Sequence, residues 1–117
     1  MNSVNITGRL TADPELRALP SGESVCKLRM AVEGMSPGGE AGYVNVAAFG
    51  KPGEAAARVL AKGWLVAVSG RLAFHEWETD DGSKRHDYEV VGSVDFLAGP
   101  RGSRAGVTPD REEAVAS

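Results

Sequence analysis

One helical segment interrupts a chain that otherwise alternates apolar and polar residues, and that order leaves few folds open. Val4, Ile6, Gly8 and Leu10 share one parity, against Asn5, Thr7 and Arg9 on the other. Asp13-Pro14 breaks this first strand, because proline removes a ladder donor, and Leu16 to Leu19 resumes an extended path. After the turn Pro20-Ser21-Gly22, a second strand sets Cys26, Leu28, Met30 and Val32 against Lys27, Arg29, Ala31 and Glu33. A loop, Gly34 to Gly42, leads to a third strand over Tyr43 to Phe49, where Val44, Val46 and Ala48 form the apolar face. Pro52 to Ala61 then abandons period two. Its alanines suit a short helix, with Pro52 and Glu54 in the first turn and Lys62-Gly63 at the end. Period two returns from Leu65 to Ala73, runs on through Phe74 to Glu78, turns at Asp81-Gly82 and continues from Lys84 to Leu97.

Three strands, one helix and two long strands exclude a βαβ repeat. They match an all-β OB-fold, a five-stranded Greek-key barrel with one short helix between the third and fourth strands. Gly8 and Gly70, mid-strand on the inward parity, permit the sharp bends of a small barrel. A flat antiparallel sheet with a covering helix fits the same pattern. The predicted domain is residues 1–98. From 99 to 117 bulky apolar residues almost vanish, and composition predicts a disordered tail.

The outward parity carries the chemistry. Lys27 and Arg29 lie there on the second strand, Tyr43, Asn45 and Phe49 on the third, and Ser69, Arg71, His75 and Trp77 on the fourth and its extension. Six residues of strand separate Tyr43 from Phe49, roughly 20 Å, too far for one base but suited to separate bases of an extended strand. Base–aromatic stacking contributes about 1–3 kcal/mol per base and tolerates any sequence. Rings for bases with Lys and Arg for phosphates is the logic of single-strand binding. Packing under a loop or in a subunit contact is the alternative for Tyr43 and Phe49, and a solvated strand face is the default for Lys27 and Arg29. Trp64, after Gly63, is expected to pack at the helix–strand junction.

Charge limits the mode of binding. Residues 1–99 hold ten Lys and Arg against thirteen Asp and Glu, so the net charge of -3 belongs to the folded part. A global positive field is excluded, which leaves local cations and stacking. No nucleophile–base arrangement is present, and Gly50-Lys51 lacks the spaced glycines of a phosphate loop, so no enzyme is expected. His75 and His86 could face each other across the hairpin, but nothing has zinc-site spacing, and neither a metal nor a cofactor is expected. Cys26 is alone and inward, a core residue in keeping with a reducing cytoplasm. No run is long enough to span a membrane, and the N-terminus has no signal-peptide pattern.

Several segments in register carry a resemblance. They are MNSVNITGRLTADPELR, PSGESVCKLRMAVE, VNVAAFGKPGEAAARVLAKG and VAVSGRLAFHEWETDDGSKRHDYEVV. Over about residues 1–98 the chain resembles bacterial single-stranded DNA-binding proteins of the homotetrameric type. The resemblance implies non-specific binding and protection of single-stranded DNA in replication, recombination or repair, at the nucleoid in the cytoplasm. It implies base stacking at Phe49 and Trp77, and at Tyr43, where the family places Trp or another ring. Lys51, Lys62, Arg71 and Arg85 match commonly basic positions. It also implies a homotetramer or homodimer whose first strands, Val4 to Arg9 here, pair between subunits. Three departures stand out. The loop Glu33 to Gly42 is short and acidic, with Met35 and Ser36 where the family holds another ring, which predicts one stack fewer. The tail is short. It also ends in Ala114 to Ser117 rather than in the acidic Pro-Phe tip that recruits replication and repair enzymes.

Overall fold

The structure, a computed structural model, describes residues 1–100. Of the expected disordered tail, 99–117, the segment 101–117 lies outside the described residues. The alternation of Val4 to Leu10 becomes β1 (Val4–Leu10), and the Asp13-Pro14 break separates it from β2 (Glu15–Ala18). Both lie antiparallel along β3 (Ser24–Val32), β1 through Arg9–Ala31 and Leu10–Met30, β2 from Glu15–Lys27 to Ala18–Ser24. The sixth strand is thus the first strand resumed after its proline. β3 pairs in turn with β4 (Gly42–Phe49).

The helix α1 spans Gly50–Val59, two residues ahead of the expected range at each end. Gly50, at φ 73°, turns the chain straight out of β4, a conformation open to glycine. Pro52 falls in the first turn, where its missing N–H costs no bond. Glu54 lies beyond that turn, which holds no acidic residue. β5 (Leu65–Glu78) and β6 (Lys84–Ala98) complete the chain as one long antiparallel hairpin. At its tip the Ser83 N–H (2.9 Å) and the Thr79 hydroxyl donate to the Asp81 carboxylate, and Gly82 takes φ 87°. Those bonds, first that of Thr79 and then those of Ser83, hold the Asp81 carboxyl below its usual range.

β5 also pairs with β1 from Val4–Gly70 to Arg9–Leu65, and β6 runs parallel to β4 at Val46–Val90 and Ala47–Val91. Five strands therefore close in the order β1-β3-β4-β6-β5, and the barrel is an OB-fold. It consists of two curved sheets, β2-β3-β4 and β1-β5-β6. Two seams join them, β1–β3 and β4–β6, each of two residue pairs.

The inward parity fills the barrel. Met30, Val46, Val66 and Cys26 are fully buried, with Leu10, Leu28, Val32, Val68 and Val90 around them. Burial pushes the Cys26 thiol up, away from the reactive thiolate. The mid-strand glycines sit where strands touch. A Cβ at Gly8 would lie 2.2 Å from the Ala31 carbonyl oxygen, and one at Gly70 would lie 2.1 Å from that of Val91. Trp64 packs at the helix–strand junction, half-buried and edge-on to Phe96 at 6.4 Å. Among the described residues no helix is long and apolar enough to cross a membrane.

α1 rests on the barrel through Gly53 and Ala56. A Cβ at Gly53 would lie 2.1 Å from the Ala48 carbonyl oxygen, which belongs to rigid β4 backbone. Gly53→Ala should therefore lose up to about 2 kcal/mol net, overpacking of about 1–3 kcal/mol less ~1 kcal/mol of helix propensity. Urea unfolding checks this, and a stabilised variant would mean that the helix can lift off β4 freely.

Candidate nucleic-acid interface

The β3–β4 register builds the face. On the outward parity it sets Val25 beside Phe49, Lys27 beside Ala47, Arg29 beside Asn45 and Ala31 beside Tyr43. Tyr43 is 59% exposed and Phe49 39%. On the β5–β6 hairpin, Trp77, 49% exposed, lies across from Arg85, and His75 across from Asp87. The three rings expected to stack are thus all open to solvent, two on β4 and one near the hairpin tip.

The cations divide into two groups. Lys51 is exposed in the first turn of α1, Arg71 is exposed mid-β5 and Arg85 is exposed beside Trp77. Lys62 is exposed past the helix, its N–H donating to the Asp13 carboxylate at 2.9 Å. Arg29 sits with its guanidinium carbon 4.3 Å from the Tyr43 ring centroid, a cation–π contact that orients the ring and occupies one of its faces. Lys27 differs from the rest: its ammonium donates to the buried Glu89 carboxylate at 2.8 Å. His75 Nε2 approaches the other oxygen of Glu89 at 3.3 Å.

Parity alone could not show this. Glu89 lies on the outward parity of β6, and alternation makes it a solvated charge, yet it is 7% exposed. β4 lies between β3 and β6, so Lys27 reaches Glu89 only by crossing β4 at its register partner Ala47. Ala47 is outward and fully buried. Alanine leaves room there for the lysine stem, and a larger side chain would lift it. The signal in the sequence was a small apolar residue on an otherwise polar face.

A second surface was also missed. β5 and β6 run 14 and 15 residues, whereas β1 covers β5 only as far as Gly70. Beyond the barrel the inward parity continues into water. Phe74 and Tyr88 pair across the hairpin with ring centroids 5.2 Å apart, and His86 lies 5.8 Å and 6.0 Å from them. Leu72, Phe74 and Tyr88 are exposed. Leu72 and Tyr88 border a groove of about 410 Å³ that Met35, Tyr43, Asn45 and His86 also line. Met35, in the loop region where the resemblance places another ring in the family, is folded back against Gly42. His75 and His86, pictured as facing each other, lie on opposite faces of the hairpin because their positions differ in parity. His75 pairs with Asp87 and His86 with Glu76.

Comparison with known proteins bears on what this face binds. The profile of the Single-strand binding protein family matches residues 1–97. A single-stranded DNA-binding protein of Clostridium perfringens is 41% identical over 108 residues, 91% of this chain and 72% of the relative. Single-stranded DNA-binding protein 3 of Listeria innocua is 36% identical over 118 residues, 97% of this chain and 74% of the relative. Single-stranded DNA-binding protein 2 of Staphylococcus aureus is 39% identical over 102 residues, 83% of this chain and 72% of the relative.

Proposed function

The chain belongs to the single-strand binding protein family, and from that premise we propose that it binds and protects single-stranded DNA without strong sequence preference. The observation that carries the reading is the outward display of Tyr43, Phe49 and Trp77 on a face edged with free cations. Each ring stacks a base. Arg29, Lys51, Arg71 and Arg85 neutralise phosphates and release counterions, so affinity falls with salt. Bases held on rings are unavailable for pairing, and an occupied backbone resists nucleases. Protection and strand separation follow from occupancy alone, with no catalysis. The setting is the nucleoid, in replication, recombination or repair.

The free edge of β1 supports self-association. Val4 to Gly8 pair with β5 on one side, but β3 meets β1 only at Arg9 and Leu10. An open edge templates pairing with another strand. A second copy placed there continues the sheet, and a dimer or tetramer so built carries several faces and gains avidity.

Tryptophan fluorescence tests the binding. Trp77 is exposed and Trp64 half-buried, so a Trp64→Phe variant isolates the signal of Trp77. Oligo-dT should quench it strongly, less at high salt, and a duplex should not. Absence of quenching together with no retention of the strand would sink the reading, and stronger binding to a matched RNA would redirect it from DNA. The exposed Leu72, Phe74 and Tyr88 face favours a second reading, an oligomeric interaction module with weak nucleic-acid binding. On that reading Tyr43→Ala with Trp77→Ala leaves cellular function intact.

A further inference from the structure

We propose that Glu89 is an internal counter-charge of the interface, which draws Lys27 onto the protein and withholds it from phosphates. The proposal rests on the single-strand binding reading. Among the described residues Glu89 is the one charged side chain that is buried. A buried carboxylate is costly unless paired, so the lysine that satisfies it is held in place. Lys27 comes to it from β3 across Ala47, and His75 reaches it along the hairpin from β5. The contacts therefore span four neighbouring strands, between the rings of β4 and Trp77.

The charge tally of this strip is the consequence. Lys27 is matched by Glu89, and Asp87 stands across from His75. The middle of the face offers an incoming phosphate no unmatched lysine. Phosphates are then held around it, by Arg29, Lys51, Arg71 and Arg85, and the middle serves base stacking. A chain of net charge -3 can bind a polyanion on such terms, with fewer released counterions than its count of outward cations suggests.

The slope of log affinity against log salt reads this directly, since each phosphate contact on a single strand contributes about 0.7. Oligo-dT binding should be measured across a salt series for the full chain and for Lys27→Gln, Arg85→Gln, Glu89→Gln and the double variant Lys27→Gln/Glu89→Gln. Arg85→Gln should flatten the slope by about 0.7, whereas Lys27→Gln leaves it unchanged. Glu89→Gln, isosteric and uncharged, should release the Lys27 ammonium and steepen the slope by about 0.7, and the double variant should return it to the starting value. A Lys27→Gln slope as flat as that of Arg85→Gln overturns the proposal, as does an unchanged slope in a folded Glu89→Gln. If Glu89→Gln does not fold by circular dichroism, a Lys27→Gln variant shown to be folded by the same measurement decides alone. A wild-type chain that fails to retain the strand overturns the binding reading itself. One that binds but loses slope with Lys27 overturns the counter-charge alone.

Discussion

Replacing Phe49 and Trp77 together by alanine should weaken oligo-dT binding from roughly 30-fold to more than 10,000-fold, the product of two stacks worth about 1–3 kcal/mol each. Phe49 ends β4 and Trp77 lies near the tip of the hairpin, so no partner is shared and the two effects should add. Trp77 is half exposed and Phe49 39% exposed, so some stability is lost at Phe49, and circular dichroism at the assay temperature should show the variant folded. Tyr43→Ala should behave differently. It also removes the ring that positions Arg29, so part of its loss should vanish at high salt. A double-alanine variant within threefold of wild type would assign the rings to packing or subunit contacts and promote the interaction-module reading.

Gly70→Val should cost about 3 kcal/mol or more of stability, at the top of the range for overpacking. Gly70 and Gly92 are register partners at the crossing of β5 and β6. A Cβ on Gly70 would lie 2.1 Å from the Val91 carbonyl oxygen and 2.7 Å from the Gly92 Cα. Both neighbours are backbone, so no rotamer relieves the clash. The β propensity of valine spans only ~1 kcal/mol and cannot compensate. A drop of about 12–24 °C in the midpoint is expected for a domain of this size. A midpoint within a few degrees of wild type would show that the crossing is looser than its geometry states.

Alternation made most of the barrel legible. The parity of Val4 to Leu10, Cys26 to Val32 and Val66 to Gly70 predicts which side chains face inward, because each of those segments is covered by a neighbour on one side only. The same reasoning fails past Gly70. Parity names a face but not what lies above it, so Phe74, His86 and Tyr88 look like core and stand in water. It fails in the opposite direction at Glu89, buried on an outward position by a lysine from two strands away. Strand neighbours distant in sequence decide both cases, and local pattern carries no information about them. The helix ends moved for a local reason, the positive φ of Gly50, which a Gly-Lys-Pro string does not reveal unaided.

The two seams have a mechanical consequence. Tyr43 and Phe49 ride on one sheet, Trp77, Arg71 and Arg85 on the other, and on this side two ladder pairs at β4–β6 and the Lys27–Glu89 ion pair join them. Few hydrogen bonds make a seam the compliant part of a shell, whereas the sheets themselves are stiff. Flexing there changes the gap between the ring groups without disturbing either group. On the single-strand binding reading, the face would act as a calliper whose two jaws are the sheets. It can close on a strand whose purines and pyrimidines stack at unequal spacing, and a binder indifferent to sequence needs that adjustment more than it needs an ideal fit to any one base.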